Sequence, residues 1–444
     1  MMILAALASL LVLTALFLAR PRAWLPVYLL LLPVSPQIAL GRVPFSMTNI
    51  VFFAGFFAVV SYRLMHRRWN LLRSPILFTT AMFMLSLLIS ALDAWLLWGG
   101  RYGQISVLKF LRIGEAFIVL FMSADIYAPT SITSLRRLMY AVFIGAALGA
   151  ALGLISVINI DLFYSLYKAE RYYGFKIWIP GVELWRAVGV FLDPNHLSSY
   201  MSMIILLAVA VWRRRDVQVS RLLLVVVLVL CSAALLMTFS RAGWLFLLVS
   251  TVVYVVVSHD LSLRRKVVLL STMFGAIVLC VIILGRVLPG LSVGLLNRIL
   301  DTVNLASSGD WNAAMSGRLD VWQVGWHVFL THPIFGIGYK CLPELFIMGD
   351  NNYLTMLAEG GIIGAAIWIV WLAVIASGTY RLARKHWLGE YLFAVWLALL
   401  VNMATGDIMT YWRTLPLFFA LLGVGLIIAH RKADLPDTFV PSDN

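Results

Sequence analysis

Stretch after stretch of this chain runs for roughly 17–22 residues with almost no charge, each long enough as a helix to cross the ~30 Å hydrocarbon layer of a bilayer. One such stretch can sit in a soluble core; a succession of them cannot. In lipid, every backbone amide must be satisfied within its own helix or in a closed barrel. A barrel would show short segments of alternating hydrophobicity, whereas these stretches are apolar throughout. Composition agrees: the 444 residues are 62% hydrophobic and 12% charged, against about 25% charged in a soluble domain. The expected fold is an all-α polytopic membrane protein.

Candidate spans fall at 2–19, 24–41, 47–62, 75–97, 105–127, 138–160, 196–212, 222–239, 242–258, 267–285, 354–377, 390–406 and 412–430. Thirteen spans would separate the termini. Pro21, Pro26, Pro33 and Pro36 let the region 20–46 break or re-enter, so twelve spans with both ends inside fit equally well. The opening segment lacks a basic n-region and a small-residue cleavage site and reads as a retained helix. Basic residues gather in five short linkers: Arg63/Arg67/Arg68/Arg73, Arg136/Arg137, Arg213–Arg215 with Arg221, Arg264/Arg265/Lys266 and Arg381/Arg384/Lys385. The positive-inside bias makes those linkers cytoplasmic. The opposite face then carries 161–195, 286–353 and the short turns near 98–104, 240–241 and 407–411.

The expected organisation is N-terminal helices over 1–160 and a first external loop over 161–195. Central helices with a Ser-Arg hairpin follow over 196–285, then a large external loop with amphipathic helices over 286–353. C-terminal helices and a short tail fill 354–444. The net charge of +14 reads as topological; there is no soluble domain to present a basic surface to nucleic acid. Cys231, Cys280 and Cys341 make neither a disulfide framework nor a metal site. Gly145, Gly149 and Gly153, four residues apart, mark a close-packing helix face. Lys109, Arg112 and Glu115 share one span, and charges so placed form either a site or an internal pair.

The external face holds more cations than that bias favours: Lys168, Arg171, Lys176, Arg186, Arg241, Arg286, Arg298, Arg318 and Lys340. Such an excess suggests an anionic ligand, and forked guanidinium donors suit phosphate. Ser240 and Arg241 sit at a tight hairpin where the next helix begins, so its amides and the guanidinium make an anion site; the alternative is a snorkelling arginine. Arg318 opens an amphipathic pattern through Leu319, Val321/Trp322, Trp326 and Phe329/Leu330 that ends before Pro333. A first-turn arginine opposes the helix dipole, which points to another role. No metal motif appears; His327 and His332 are poorly spaced for one helix face. In "MGDNNYL", Asp350 stands before a hydrophobic helix as a base, as a polar substrate contact or as a helix cap.

Five strings occur in order: "RAVGVFLDPNHLSSYM", "TFSRAGWL", "SGRLDVW", "THPIFGIG" and "DNNYLTMLAEGGIIG". Through them the chain resembles the bacterial O-antigen ligase and polymerase superfamily over the C-terminal two thirds. The resemblance implies an inner-membrane, GT-C-like glycosyltransferase with its active site facing the periplasm. It would move a glycan from undecaprenyl diphosphate to an acceptor hydroxyl without cofactor or metal. The acceptor is lipid A–core in a ligase and another lipid-linked unit in a polymerase; a polysaccharide or lipid flippase is the reading from another class. The implied catalytic set is Asp350, Arg318, Arg241 and His332. The implied substrate-binding set is Arg186, Lys168, Asn195, His196, Asn351 and Tyr353. Asn351 and Gly361 keep the spacing of the family's last motif, but Asp350 replaces its histidine. Aspartate has a reference pKa of ~3.9 against ~6.5 for histidine, and neighbouring arginines would weaken it further as a base. The aromatics Tyr164, Tyr167, Tyr172, Tyr173, Trp178 and Trp185 either stack on sugars or form an interfacial belt.

Overall fold

A computed structural model describes residues 2–434 apart from 41–42, 67–73, 127–131, 161–175, 180–181, 215–216, most of 269–306, 315–316 and 347–349. The expected span 267–285, Lys168, Arg171, Arg298 and four first-loop tyrosines fall largely or wholly outside the described residues. Long helices carry the rest. They are α1 (Met2–Ala19), α2 (Trp24–Leu31), α3 (Met47–His66), α4 (Pro75–Trp98), α5 (Gly100–Ile126) and α6 (Ile132–Ile158), followed by α7 (Pro194–Trp212), α8 (Arg221–Met237) and α9 (Arg241–Val257). Then come α10 (Arg318–Thr331), α11 (Asn352–Ala383), α12 (Trp387–Met403) and α13 (Thr414–Asp434).

By length and apolarity, α3, α4, α6, α7 and α11 are each sufficient to cross a membrane; α8, α9, α12 and the Thr414–His430 part of α13 are apolar but shorter. The 27-residue α5 is long enough, but Lys109, Arg112 and Glu115 interrupt its apolar run. The expected span 24–41 is corrected. Its helix, α2, stops after eight residues, about 12 Å, and α1 meets the following segment at 117°. Pro33 and Pro36 cannot continue a helical ladder. The chain turns instead into an antiparallel hairpin of β1 (Gln37–Leu40) and β2 (Val43–Ser46). A second hairpin, β3 (Lys176–Ile179) with β4 (Val182–Trp185), lies in the loop between α6 and α7, so the helical class holds with two small exceptions.

The short α2 is held inside the bundle by the glycine stripe of α6. A Cβ on Gly145 would stand 2.5 Å from the carbonyl oxygen of Leu30, and one on Gly149 2.8 Å from Pro33. The end of α2 is closed by Arg413, fully buried at the start of α13. Its guanidinium donates to the carbonyls of Leu32, Val190 and Ser35 and lies 3.6 Å from the Trp412 ring centre. Deeper in the bundle, Trp371 of α11 stacks on Phe83 of α4 at 4.6 Å and meets Phe117 of α5 and Trp396 of α12 edge-on. This aromatic knot joins four helices where lipid supplies no hydrophobic drive, so packing itself must hold them.

Helix α11 is not continuous. Gly361 has φ 59° and ψ −165°, and the segment 333–338 fills the break as a strand would. Ile362 and Ile363 donate backward to the carbonyls of Pro333 and Ile334, while Ile337 and Gly338 donate to those of Ala358 and Glu359. The groups orphaned by the broken ladder are thereby satisfied. Only glycine fits: a Cβ at Gly361 would lie 2.2 Å from the oxygen of Ile334, and one at Gly336 2.4 Å from the carbonyl carbon of Glu359. A short half-helix, Asn352–Gly360, thus stands ahead of the membrane-length part, and α10 packs against it.

Candidate functional site

The polar groups converge at one end of the bundle, where α7, α9, α10 and α11 all begin. Each start has its own cap. Asp193 accepts from the amides of Asn195 and His196 at the head of α7. Ser240 accepts from the Gly243 amide at the head of α9. Asn351 accepts from the amides of Tyr353 and Leu354 at the head of α11. For α10 the cap comes from outside, with the side-chain oxygen of Asn312 accepting from the Leu319 amide. Four helix N-termini facing one region make it electropositive before any side chain is counted.

Because Asn351 fills the capping role, Asp350 is released from it. Its carboxylate pairs with Arg318, Nε to Oδ2 3.6 Å, with side chains 24% and 45% exposed for Arg318 and Asp350. That Nε is buried and has no hydrogen-bond partner. Partial burial raises the Asp350 carboxyl above the ordinary aspartate range, and the opposing pull of Arg318 does not cancel it; Asp407 and Asp193 add to the rise. The sequence alone suggests a weakened base beside arginines; the structure reverses that sign, because desolvation outweighs the guanidinium.

Arg241 is the first residue of α9, directly after the Ser240 cap. The Ser240 hydroxyl donates to Asn195 Oδ1 at 2.8 Å, so the hairpin and the head of α7 are tied together. From there the His196 ring packs at a tilt against Tyr411, 4.0 Å between ring centres. A chain of contacts thus connects the Arg241 hairpin, through the head of α7, to the turn 407–411.

Other expected residues lie differently. Arg186 is buried, and its Nε donates to the Thr238 carbonyl at 2.6 Å, pinning the first loop to the hairpin beside Arg241. Tyr353 turns inward and donates to the Leu400 carbonyl. His332 caps the far end of α10, exposed against Trp98. The fourteen-residue length of α10 puts it about 20 Å from Arg318, so the structure does not bring those two together. Lys168 lies outside the described residues.

Asp407, in the turn before α13, is absent from the expected site. Its carboxylate bridges Lys340 Nζ at 2.5 Å and Asn352 Nδ2 at 2.6 Å, and Asn352 in turn accepts from the Ile408 amide. Lys340 is 4% exposed, with φ 59°. Burial would lower its pKa, but Asp407, with Glu359 behind it, holds the ammonium above the ordinary lysine range. An acid in the short external turn 407–411 was the available signal.

A family model described as O-antigen ligase matches residues 226–369. The matched stretch runs from α8 into α11 and includes Arg241, Arg318, Lys340, Asp350 and the Gly361 break; the α7 head and Asp407 lie beyond it. No curated protein matches the chain. What the match supports is a likeness to the O-antigen ligase superfamily over residues 226–369.

Proposed function

We propose that the protein is a periplasm-facing glycosyltransferase of the inner membrane, transferring a glycan from undecaprenyl diphosphate to an acceptor hydroxyl, with lipid A–core as the acceptor. The observation that carries this reading is the Arg318–Asp350 pair: a buried guanidinium nitrogen without a hydrogen-bond partner, 3.6 Å from a carboxylate. An unsatisfied buried donor is costly, and the anionic ligand that would complete it is a phosphate oxygen.

In the transfer, the bond between the anomeric carbon and the diphosphate oxygen breaks, and a bond to the acceptor oxygen forms. The acceptor hydroxyl passes its proton to Asp350. Arg318, with Arg241 across the mouth, stabilises the charge that gathers on the departing diphosphate. Preorganised cations of this kind supply the largest share of many rate enhancements. Displacement by the acceptor from the opposite face inverts the anomeric centre. Arginines take the place that a divalent cation holds in other phosphate chemistries.

The test uses purified protein in detergent with lipid-diphosphate glycan, lipid A–core and a chelator. Release of undecaprenyl diphosphate with glycan on lipid A–core, seen by mass spectrometry, supports the reading. Glycan added instead to a second lipid-linked unit identifies a polymerase. Failure of a competent donor and acceptor to react overturns the proposal.

A further inference from the structure

A cavity of about 40 Å³ is bordered by Lys109, Arg112, Tyr339, Lys340, Thr410 and Trp412; Lys340 ties it to Asp407, whose other partner, Asn352, stands two residues from Asp350. That volume holds several water-sized groups. Its cations come from two distant parts of the chain: Lys109 and Arg112, one turn apart on α5, and Lys340 from the segment after α10. Arg112 is oriented by the indole of Trp412, 4.7 Å from its ring centre.

Like charges at i and i+3 on a helix repel; here Lys109 is exposed and Arg112 half-buried. Lys340 has its carboxylate in Asp407; Lys109 makes no hydrogen bond or ion pair with the described residues. The 27 residues of α5 extend about 40 Å, roughly 10 Å more than the hydrocarbon layer. Lys109 follows the helix start by nine residues, about 13 Å, which puts the cavity near the external membrane boundary. An anionic group on a saccharide or glycolipid headgroup can reach it there, next to where the acceptor hydroxyl must stand.

We infer that the Lys109–Arg112–Lys340 cavity is a second anion subsite, which holds a phosphate carried by the acceptor and so orients its hydroxyl toward Asp350. This rests on the glycosyl-transfer reading for its position in the reaction, and its binding claim is separable from turnover. The subsite favours a phosphorylated acceptor over the same saccharide without phosphate, because Lys109 then gains a neutralising partner.

The experiment measures binding of a lipid A–core glycolipid, with its phosphates and after their chemical removal, to the full-length protein in nanodiscs without donor. Lys109→Gln is expected to weaken binding of the phosphorylated form on the order of tenfold, Lys109→Arg to restore most of it, and the dephosphorylated form to bind wild type and Lys109→Gln alike. In turnover, the acceptor KM rises while the donor KM stays. Equal weakening for both acceptor forms, no weakening at all, or a rise confined to the donor KM would each overturn the inference. A wild-type protein that binds the phosphorylated glycolipid selectively but transfers nothing would sink the proposed reaction and leave the subsite standing.

Discussion

Asp350 must be ionised to accept a proton, and its ionised fraction falls as pH drops through its pKa. Since burial holds that pKa above the ordinary value of ~3.9, the acid limb of kcat/KM against pH is expected above the usual aspartate range. Arg318 opposes the rise, so Arg318→Gln should move the limb of the residual activity to still higher pH, while Arg318→Lys keeps it near the wild-type position. Asp350→Asn is expected to lower kcat by roughly 10²–10⁴-fold with the fold intact. At the same scale, Arg413→Ala leaves three buried carbonyls without a donor. It should cost about 3 kcal/mol or more, read as a lowered unfolding temperature in detergent, with Arg413→Lys recovering part. The arginines at helix starts were legible in the sequence because hairpin and amphipathic patterns mark those starts. Arg413 was not: its partners are main-chain carbonyls more than two hundred positions away, and carbonyls carry no residue signature. Asp407 escaped for a related reason, because a single acid in a short turn is unremarkable until Lys340 and Asn352 are seen on either side of it.

Among the elements, hydrophobic runs revealed the helices well, since length and apolarity are local properties. They misread 24–41, where hydropathy alone does not distinguish a span from a short buried helix followed by a hairpin; the prolines carried that information. They also treated 354–377 as an unbroken span, because a glycine within an apolar run reads as a close-packing position as readily as a break. The α11 break gives a sharp test. Gly361→Ala combines a backbone conformation that L residues rarely adopt with a Cβ 2.2 Å from the Ile334 oxygen. A loss of about 2–3 kcal/mol or more is expected, visible as a lower unfolding temperature. Gly364→Ala, a few residues on with no neighbour within 4 Å of its Cβ, should change stability little. Equal effects from the two would show that the inserted strand does not hold the half-helix.

For the molecule as a whole, sidedness rests on where the cations gather. The cations that follow α7 and α11 (Arg213, Arg214, Arg384 and Lys385) stand at the ends of those helices opposite to the heads near Asp350. At the linker end, Arg214 pairs with Asp260, and Glu390 of α12 accepts from Ser258 and His259, fastening α7, α9 and α12 together. Single cysteines at Asp310 and at Arg384, in a background lacking the three native cysteines, should label oppositely in intact cells. A membrane-impermeant maleimide reaches the first from outside and the second only after permeabilisation. Labelling of both from one side would overturn the orientation on which the periplasmic reaction depends.

The strand threaded through α11 is fastened by main-chain atoms, while Ile334 and Phe335 expose their side chains. Substitution can therefore rewrite the exposed part of that segment without loosening it, so long as Gly336, Gly338 and Gly361 keep their places. Distant cousins of this protein should share little here beyond the intervals among those three glycines, and a ruler will find them where an alphabet does not.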